Sequence, residues 1–158
     1  MKNQKQLRAF KVFAIKEGTV IDHIPAGQAL KIIEVLKLQS NKKIVTTGLN
    51  FPSKTLRKKD IIKVENYELN QDQANRVAIL APTATINIIN DFVLTKKFKV
   101  EIPNKVEKII ICPNPKCITK QEQSDSCFYV EHIEKQIKLQ CKYCEKIFAQ
   151  ADINEYNI

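Results

Sequence analysis

The residues best suited to chemistry are the five cysteines, which all lie in the last third of the chain. Four of them form two close pairs, C-x4-C at Cys112 and Cys117 and C-x2-C at Cys141 and Cys144, separated by 23 residues. Two such pairs have the spacing of a tetrahedral four-cysteine zinc site, in which each pair places two thiolates on one tight turn. Because four protein ligands close the coordination sphere, the spacing predicts one structural Zn²⁺ and not a catalytic one.

Two other uses of these thiols stay open. A rubredoxin-type iron site has the same four-thiolate geometry, and Cys141 with Cys144 would also suit a redox pair, although a redox pair leaves the C-x4-C unexplained. Cys127 lies in the alternating run SCFYVEHI, so we expect it to be a small buried strand residue. His132, in the same run, is expected to be structural and not a ligand.

The compartment of the protein bears on these thiols. No apolar N-terminal run resembles a signal peptide, and the longest purely apolar runs, such as residues 77–81, are too short to span a bilayer. We therefore expect a cytoplasmic protein with reduced thiols and no membrane partner.

Charge divides the chain into two parts. Residues 1–103 hold 18 Lys and Arg against 9 Asp and Glu, whereas residues 104–158 hold 8 of each, so the net charge of +9 belongs to the first part. Pro103-Asn104 breaks the pattern between the two. We expect two domains, 1–103 and 104–158, of which only the first attracts anionic ligands.

The positions of these residues depend on the elements that carry them. Residues 25–38 predict a helix with Pro25 in its first turn and an apolar face of Ala26, Leu30, Ile33 and Leu36. Residues 70–82 predict a second helix, with a capping box of Asn70 and Gln73 and an end at Pro82. Strands are predicted at 8–16, 42–50, 57–69, 83–90 and 91–100, with a turn around 51–53.

This order, β-α-β-β-α-β with one extra strand, indicates a ferredoxin-like α+β domain with an antiparallel sheet and two helices. The cysteine-rich part is predicted to be a small all-β domain, with strands at 108–112, 127–133, 136–141 and 146–150. A domain of fewer than about 60 residues has a weak apolar core, so the metal is expected to supply the missing cohesion.

Three function classes compete at this point. The chain has no P-loop, no G-x-G-x-x-G and no Ser-His-Asp candidate, so no catalytic residue is assigned. A zinc-ribbon nucleic-acid-binding protein is an alternative, but the cysteine-rich part is neutral and carries no basic-aromatic stripe. The third class is a regulatory subunit that senses an anionic ligand, and composition alone does not select it.

Several runs of the sequence carry a resemblance. EGTVIDHIPAGQALKI, GLNFPS, RKKDIIKVEN, LAPTATIN, CPNPKCI and LQCKYCEKIF follow one another in an order that resembles the regulatory chains of aspartate carbamoyltransferase. The resemblance extends from about Lys11 to Phe148. TVIDHIPA and LQCKYCEK are far more specific than the fold class, which does not by itself indicate function.

The resemblance implies a subunit without activity of its own. Its N-terminal domain would bind CTP and ATP as allosteric effectors, with CTP lowering and ATP raising the activity of separate catalytic chains. Its zinc domain would dock on those catalytic chains. The regulatory chains would form dimers through their N-terminal domains. The enzyme that they regulate would act in pyrimidine biosynthesis, and nucleic acid would not be a partner.

The resemblance also implies a nucleotide site. Ala14 and Ile15 correspond to residues whose backbone meets the base, and Asp22 and His23 to residues near the ribose and phosphates. The remaining positions are Lys63 for ribose and base with Lys59 nearby, Asn87 and Ile89 for the base-side wall, and Lys97 for phosphate, with Lys96 in its place if the register shifts.

Three positions depart from the family pattern. Phe92 stands where the family can carry tyrosine, which would preserve a backbone contact but remove a hydroxyl contact. Leu94 replaces a smaller apolar residue. In the first cysteine pair, Asn114 follows the pattern, whereas Lys116 replaces an uncharged polar residue that faces the catalytic chain. We therefore expect the surface that contacts the catalytic chain to differ from the family pattern.

Overall fold

The computed structural model of the chain describes residues 14–157, which divide into two units between Glu101 and Ile102. The described strands of the first unit form one antiparallel sheet of order β2-β3-β1-β4-β5. Its elements are β1 (Gly18–Pro25), α1 (Ala29–Val35), a 3-10 turn (Leu38–Ser40), β2 (Val45–Ser53), β3 (Arg57–Glu65), α2 (Gln71–Leu80), β4 (Thr85–Asn90) and β5 (Val93–Lys99). This is the ferredoxin-like order with β5 added beside β4, so the predicted fold class is confirmed.

The two faces of this sheet differ, because successive strand residues point to opposite sides. Ile21, Ile62 and Ile86 are fully buried and lie opposite one another on β1, β3 and β4. Asp60, on the same side of β3, accepts the amide of Ala29 at the start of α1, so the helices cover this face. The opposite face carries the half-buried Lys63 and Asn87, and we refer to it as the polar face.

The predicted second helix is confirmed. The Asn70 side chain accepts the Gln73 amide at 2.9 Å, and the Gln73 side chain accepts the Asn70 amide at 3.0 Å. This reciprocal capping box satisfies two amides that an α-helix leaves without partners in its first turn. The helix ends at Leu80, two residues before Pro82.

The first strand differs from the prediction. Residues 8–13 of the predicted strand 8–16 lie outside the described residues, and Ala14 to Lys16 are not in a strand. Within the described residues, β1 takes the position of the first strand of the ferredoxin-like fold. The alternation of apolar and polar residues did not reveal this strand. A β-bulge between Ile21 and Ile24 interrupts its period-2 pattern, because the bulge adds a residue to one strand.

The limits and buried face of α1 were also predicted wrongly. The helix begins at Ala29, and Pro25 is the last residue of β1. Ala29, Ile32 and Val35 are buried, whereas Leu30 is 61% exposed. Apolar residues lie on most sides of this short helix, so more than one helical phase fits its sequence. The predicted turn at 51–53 was likewise wrong, since these residues end β2.

The second unit is a small antiparallel sheet of order β6-β7-β8-β9 in the described part of the chain. Its elements are β6 (Lys105–Glu107), α3 (Ile118–Gln121), β7 (Cys127–Ile133), β8 (Gln136–Cys141), β9 (Ile147–Ala149) and a 3-10 turn (Gln150–Asp152). The predicted strands at 127–133 and 136–141 match β7 and β8, and they form a hairpin.

Two features of the second unit differ from the prediction. The strand predicted at 108–112 is absent from the described structure: β6 ends at Glu107, and Lys108 has a φ of 64°. Ile109 and Ile111 instead pair irregularly with the C-terminal residues Glu155 and Asn157. The short helix α3 after Cys117 was not predicted. None of the helices within residues 14–157 is long and apolar enough to cross a membrane.

Candidate functional site

The four paired cysteines come together in the second unit. The Sγ atoms of Cys112, Cys117, Cys141 and Cys144 all lie within 4.8 Å of one another. Cys112 and Cys144 are 3.7 Å apart at their sulfurs, and Cys117 and Cys141 are 3.8 Å apart. A tetrahedron with Zn–S bonds of about 2.3 Å has sulfurs about 3.8 Å apart. The residues present therefore fit a tetrahedral four-thiolate metal ion.

Local backbone geometry orients these sulfurs. The amides of Asn114, Thr119 and Tyr143 donate to the sulfurs of Cys112, Cys117 and Cys141, in each case from two residues further along the chain. Each cysteine pair therefore folds as a tight turn that points its amides at the sulfur. Such amides stabilise the thiolate form, which is the form that binds a metal.

The ionisation of the clustered thiols would be favoured by a bound cation. Burial raises the pKa of the Cys112 and Cys141 thiols above the ordinary value. Burial acts in the same direction on Cys117, but the hydroxyl and amide of Thr119 donate to its sulfur and bring its pKa down to about 7. Four thiolates this close together, three of them buried, would repel one another, so a divalent cation would stabilise the set.

Thr119 is the functional residue here that sequence reasoning missed. Its hydroxyl lies 3.1 Å from the Cys117 sulfur, and both groups are buried. Such hydrogen bonds to ligand atoms fix their orientation and tune metal affinity. The only signal in the sequence was a polar side chain two residues after a cysteine, which is too common to carry a prediction.

Cys127 and His132 lie outside the four-sulfur group. Cys127 is buried at the start of β7, opposite Glu107 of β6. His132 is exposed near the far end of the β7–β8 hairpin, opposite Ile137.

In the first unit, several residues predicted for nucleotide binding share one row of the polar face. Lys63 of β3 lies opposite Val20 of β1, Val20 lies opposite Asn87 of β4, and Asn87 lies opposite Lys97 of β5. The register extends the row to Thr46 of β2. Lys96 pairs with Ile88 instead, so its side chain points to the other face from that of Lys97.

Asp22 and His23 form a polar cluster beside this row. Lys59 Nζ lies 2.8 Å and 3.0 Å from the two carboxylate oxygens of Asp22. The His23 amide donates to Asp22 at 2.6 Å, and His23 Nδ1 lies 3.1 Å from the hydroxyl of Thr85. His23 has a φ of 56°, so the bulge in β1 holds it in the left-handed region. Thr85 was not among the predicted residues.

The electrostatics of the polar face favour an anion. Partial burial lowers the pKa of Lys63, and the negative charge of Asp22 opposes that effect. An ammonium group whose charge is penalised by burial gains when an anionic ligand approaches. Lys97 and Lys99 lie on the same side of β5, and Lys99 is opposite Thr85. Lys99 was not predicted as a site residue.

Apart from Asn87, the residues predicted for the base side are found toward the β4–β5 hairpin. Ile89 is opposite Leu94 and Gly18. The Phe92 amide donates to the carbonyl of Lys16 at 2.9 Å, which joins the hairpin to the segment that carries Ala14 and Ile15. Ile15 is buried, whereas the side chains of Phe92 and Leu94 are exposed.

Comparisons with known proteins agree on one family. The family model of the allosteric domain of the aspartate carbamoyltransferase regulatory chain matches residues 10–101, and that of its metal binding domain matches residues 104–154. The chain is 47% identical over 144 residues to the aspartate carbamoyltransferase regulatory chain of Chromobacterium violaceum, covering 91% of this chain and 95% of that protein.

Two further relatives with the same name give similar values. The protein of Pyrococcus abyssi is 50% identical over 145 residues, covering 90% of this chain and 95% of its own length. That of Aeromonas hydrophila is 44% identical over 154 residues, covering 98% and 97%. The matches cover both units and the four-cysteine cluster. The chain therefore belongs to the family of aspartate carbamoyltransferase regulatory chains, which are non-catalytic subunits.

Proposed function

We propose that this chain binds CTP and ATP on the polar face of its first unit and thereby regulates the aspartate carbamoyltransferase catalytic chains to which its second unit attaches. The observation that carries this proposal is the row of Lys63, Asn87 and Lys97 beside the Asp22–His23 cluster. Lysine ammonium groups suit a triphosphate, and an amide with apolar neighbours suits a base.

The proposed roles follow the geometry. Lys97 and the Lys59–Asp22–His23 cluster would hold the phosphates and ribose. Lys63, which lies across Val20 from Asn87 in the row, would reach ribose and base. The base would lie toward the β4–β5 hairpin. Asn87 already donates to the Val20 carbonyl at 3.3 Å, which orients its amide. The base-side set is Ala14, Ile15, Asn87, Ile89, Phe92 and Leu94.

The metal of the second unit is proposed to be Zn²⁺, held by Cys112, Cys117, Cys141 and Cys144. When bound, the ion would supply positive charge and four-fold cross-linking, with no reaction at the metal. We assign the protein to the cytoplasm as part of the same proposal, since a reducing compartment keeps ligand thiols unoxidised.

The second unit is proposed to dock on the catalytic chain through the surface around the metal. Exposed apolar side chains accompany both cysteine pairs: Ile118 follows Cys117, and Tyr143 lies between Cys141 and Cys144. Exposed apolar groups on rigid turns are typical of protein interfaces. The exposed Lys116 would add a positive charge to that surface.

The activity test uses this chain together with the catalytic chains of the same organism. We expect CTP and ATP to change carbamoyltransferase activity in the assembly, with a coupling free energy of about 1–3 kcal/mol. The isolated catalytic chains should not respond to either nucleotide. An assembly that forms but ignores both nucleotides would contradict the proposed function.

We further propose that the chain forms dimers through β2, which is an edge strand of the sheet among the described strands. Strand β2, Val45–Ser53, contains no charged residue, whereas the opposite edge strand β5 contains Lys96, Lys97 and Lys99. Lysines on an edge strand discourage pairing with another chain, and an uncharged edge permits it. Leu49 within β2 and Ile44 just before it are exposed apolar residues.

Charges placed on this edge should abolish the dimer. We expect the double variant Ile44→Lys, Leu49→Lys to sediment as a monomer in analytical ultracentrifugation, because facing ammonium groups repel across an antiparallel pair. Leu30→Lys on α1 is the matched control, since Leu30 is 61% exposed and Ile44 is 63% exposed. A double variant that remains dimeric would exclude β2 as the interface.

A further inference from the structure

Asp60 of β3 is a buried carboxylate held by backbone amides from two separate segments. Its Oδ2 accepts the amides of Gly27 at 2.8 Å and Ala29 at 3.3 Å, in the turn between β1 and α1. Its Oδ1 accepts the amide of Asn50 in β2 at 2.9 Å. The side chain is fully buried, and α1 has no side-chain cap of its own. Asp60 therefore caps α1 from a distant strand.

Two β-bulges flank Asp60, one on each neighbouring strand. The register of β1 against β3 shifts between Ile21 and Ile24, so that Asp22 and His23 together lie opposite the single residue Ile61. The register of β2 against β3 shifts between Gly48 and Phe51, so that Leu49 and Asn50 together lie opposite Asp60 alone. His23 and Asn50 have φ angles of 56° and 60°, so each bulge contains one left-handed residue.

The chemistry of the carboxylate links these two segments. A buried carboxylate is costly unless each oxygen accepts hydrogen bonds, so its two oxygens require the β1–α1 turn and the β2 bulge at the same time. A shift of either segment weakens the hydrogen bonds between that segment and Asp60. It also moves the carboxylate relative to the other segment. The β1 bulge belongs to the polar face, and the β2 bulge lies on the strand that forms one edge of the described sheet.

We propose that Asp60 is a positioning residue that couples nucleotide binding on the polar face to pairing of the β2 edge. The inference rests on the proposed nucleotide site and on the proposed β2 dimer. A ligand that engages Asp22 and His23 fixes the β1 bulge and the turn after it. Through Asp60 this favours one position of Asn50, and hence one geometry of the edge. Because linkage is reciprocal, edge pairing changes nucleotide affinity by the same factor.

The test measures CTP affinity of the full chain below and above the protein concentration at which it dimerises. For the wild-type chain we expect the two affinities to differ by about fivefold or more. For Asp60→Asn we expect the difference to fall below about twofold, because the carboxamide keeps one acceptor oxygen and turns an NH₂ group toward amide donors. The variant should still bind CTP and still dimerise, which a purely structural defect would not allow.

Asp72→Asn on the exposed surface of α2 is the matched control and should behave as the wild type. An Asp60→Asn variant that keeps the full affinity difference would overturn the inference. CTP binding by the wild type with no difference between monomer and dimer would overturn it as well, while leaving the nucleotide site intact. Absence of CTP binding would overturn the nucleotide site and the coupling together.

Hydrogen exchange provides a second measurement if the Asp60→Asn variant does not fold. In the wild-type chain, CTP should slow exchange of the Asn50 amide together with that of Gly27, since both donate to one carboxylate. The Asn75 amide on the outer surface of α2 serves as the internal reference. Slower exchange at Gly27 with no change at Asn50 would show that the two segments respond independently and would overturn the coupling.

Discussion

Removal of the metal is expected to unfold the second unit and to leave the first unit folded. The second unit spans residues 102–158, and its buried apolar core within the described residues depends on a few side chains such as Ile110, Phe128 and Leu139. A unit of this size has little hydrophobic stabilisation, so metal-binding free energy, about 10–16 kcal/mol for structural Zn²⁺ sites, is folding free energy. The first unit has its own sheet, helices and core.

The measurement combines spectroscopy with size analysis of the assembly. After treatment with a thiol-reactive mercurial, the NMR amide resonances of the second unit should lose their chemical-shift dispersion. In sizing chromatography, the chain should separate from its catalytic partner. The released chain should still bind CTP, and the freed catalytic chains should stay active but ignore nucleotides.

Cysteine variants provide the control. Cys141→Ser should lose the metal, whereas Cys127→Ser should retain one metal ion per chain, because Cys127 lies outside the four-sulfur group. Metal analysis of the purified variants decides this. An intact assembly after loss of the metal, or loss of CTP binding together with it, would show that the two units do not act separately.

Lys63→Ala and Lys97→Ala are each expected to weaken CTP and ATP binding by about 1.5–3 kcal/mol, or roughly 10- to 150-fold. Each substitution removes a charge-assisted contact to a triphosphate. The effect of Lys63 should be at least as large as that of Lys97, because partial burial reduces the competition from water around its ammonium group. Isothermal titration calorimetry measures both affinities directly.

Lys96→Ala is the matched control for Lys97→Ala. The two lysines are neighbours on β5 and carry the same charge, but the register directs them to opposite faces of the sheet. Lys96 also lies 5.1 Å from the ring centre of Phe98. We expect Lys96→Ala to change nucleotide affinity less than about threefold through long-range charge alone. Equal losses of nucleotide affinity in both variants would contradict a direct contact of Lys97 and indicate a diffuse electrostatic attraction instead. A random DNA duplex in the same titration tests the nucleic-acid alternative.

Departures from prediction in this chain have a common origin in long-range pairing. The limits of α1 were wrong because Pro25 suits both a strand end and a helix start, and the sheet selected the strand. The strand predicted at 108–112 was wrong because its backbone partners are the C-terminal residues Glu155 and Asn157, more than forty positions away. A local apolar run does not reveal such a partner.

By itself, the sequence determined the features that depend on neighbours within a few residues. The two cysteine pairs are such features, because each pair shapes its own turn and points its own amides at its sulfurs. The capping box of Asn70 and Gln73 is another. The order of strands and helices was sufficient for the fold class, and the quoted motifs were sufficient for the family.

Only the tertiary structure decided which side chains share a surface. Alignment of Lys63, Asn87 and Lys97 requires the register of three strand pairs, and a shift of one residue would send a side chain to the other face. The contact of Thr119 with Cys117, and that of Asp60 with Asn50, likewise depend on folded geometry. Register is set by packing of the whole sheet against its helices, which no short stretch of sequence encodes.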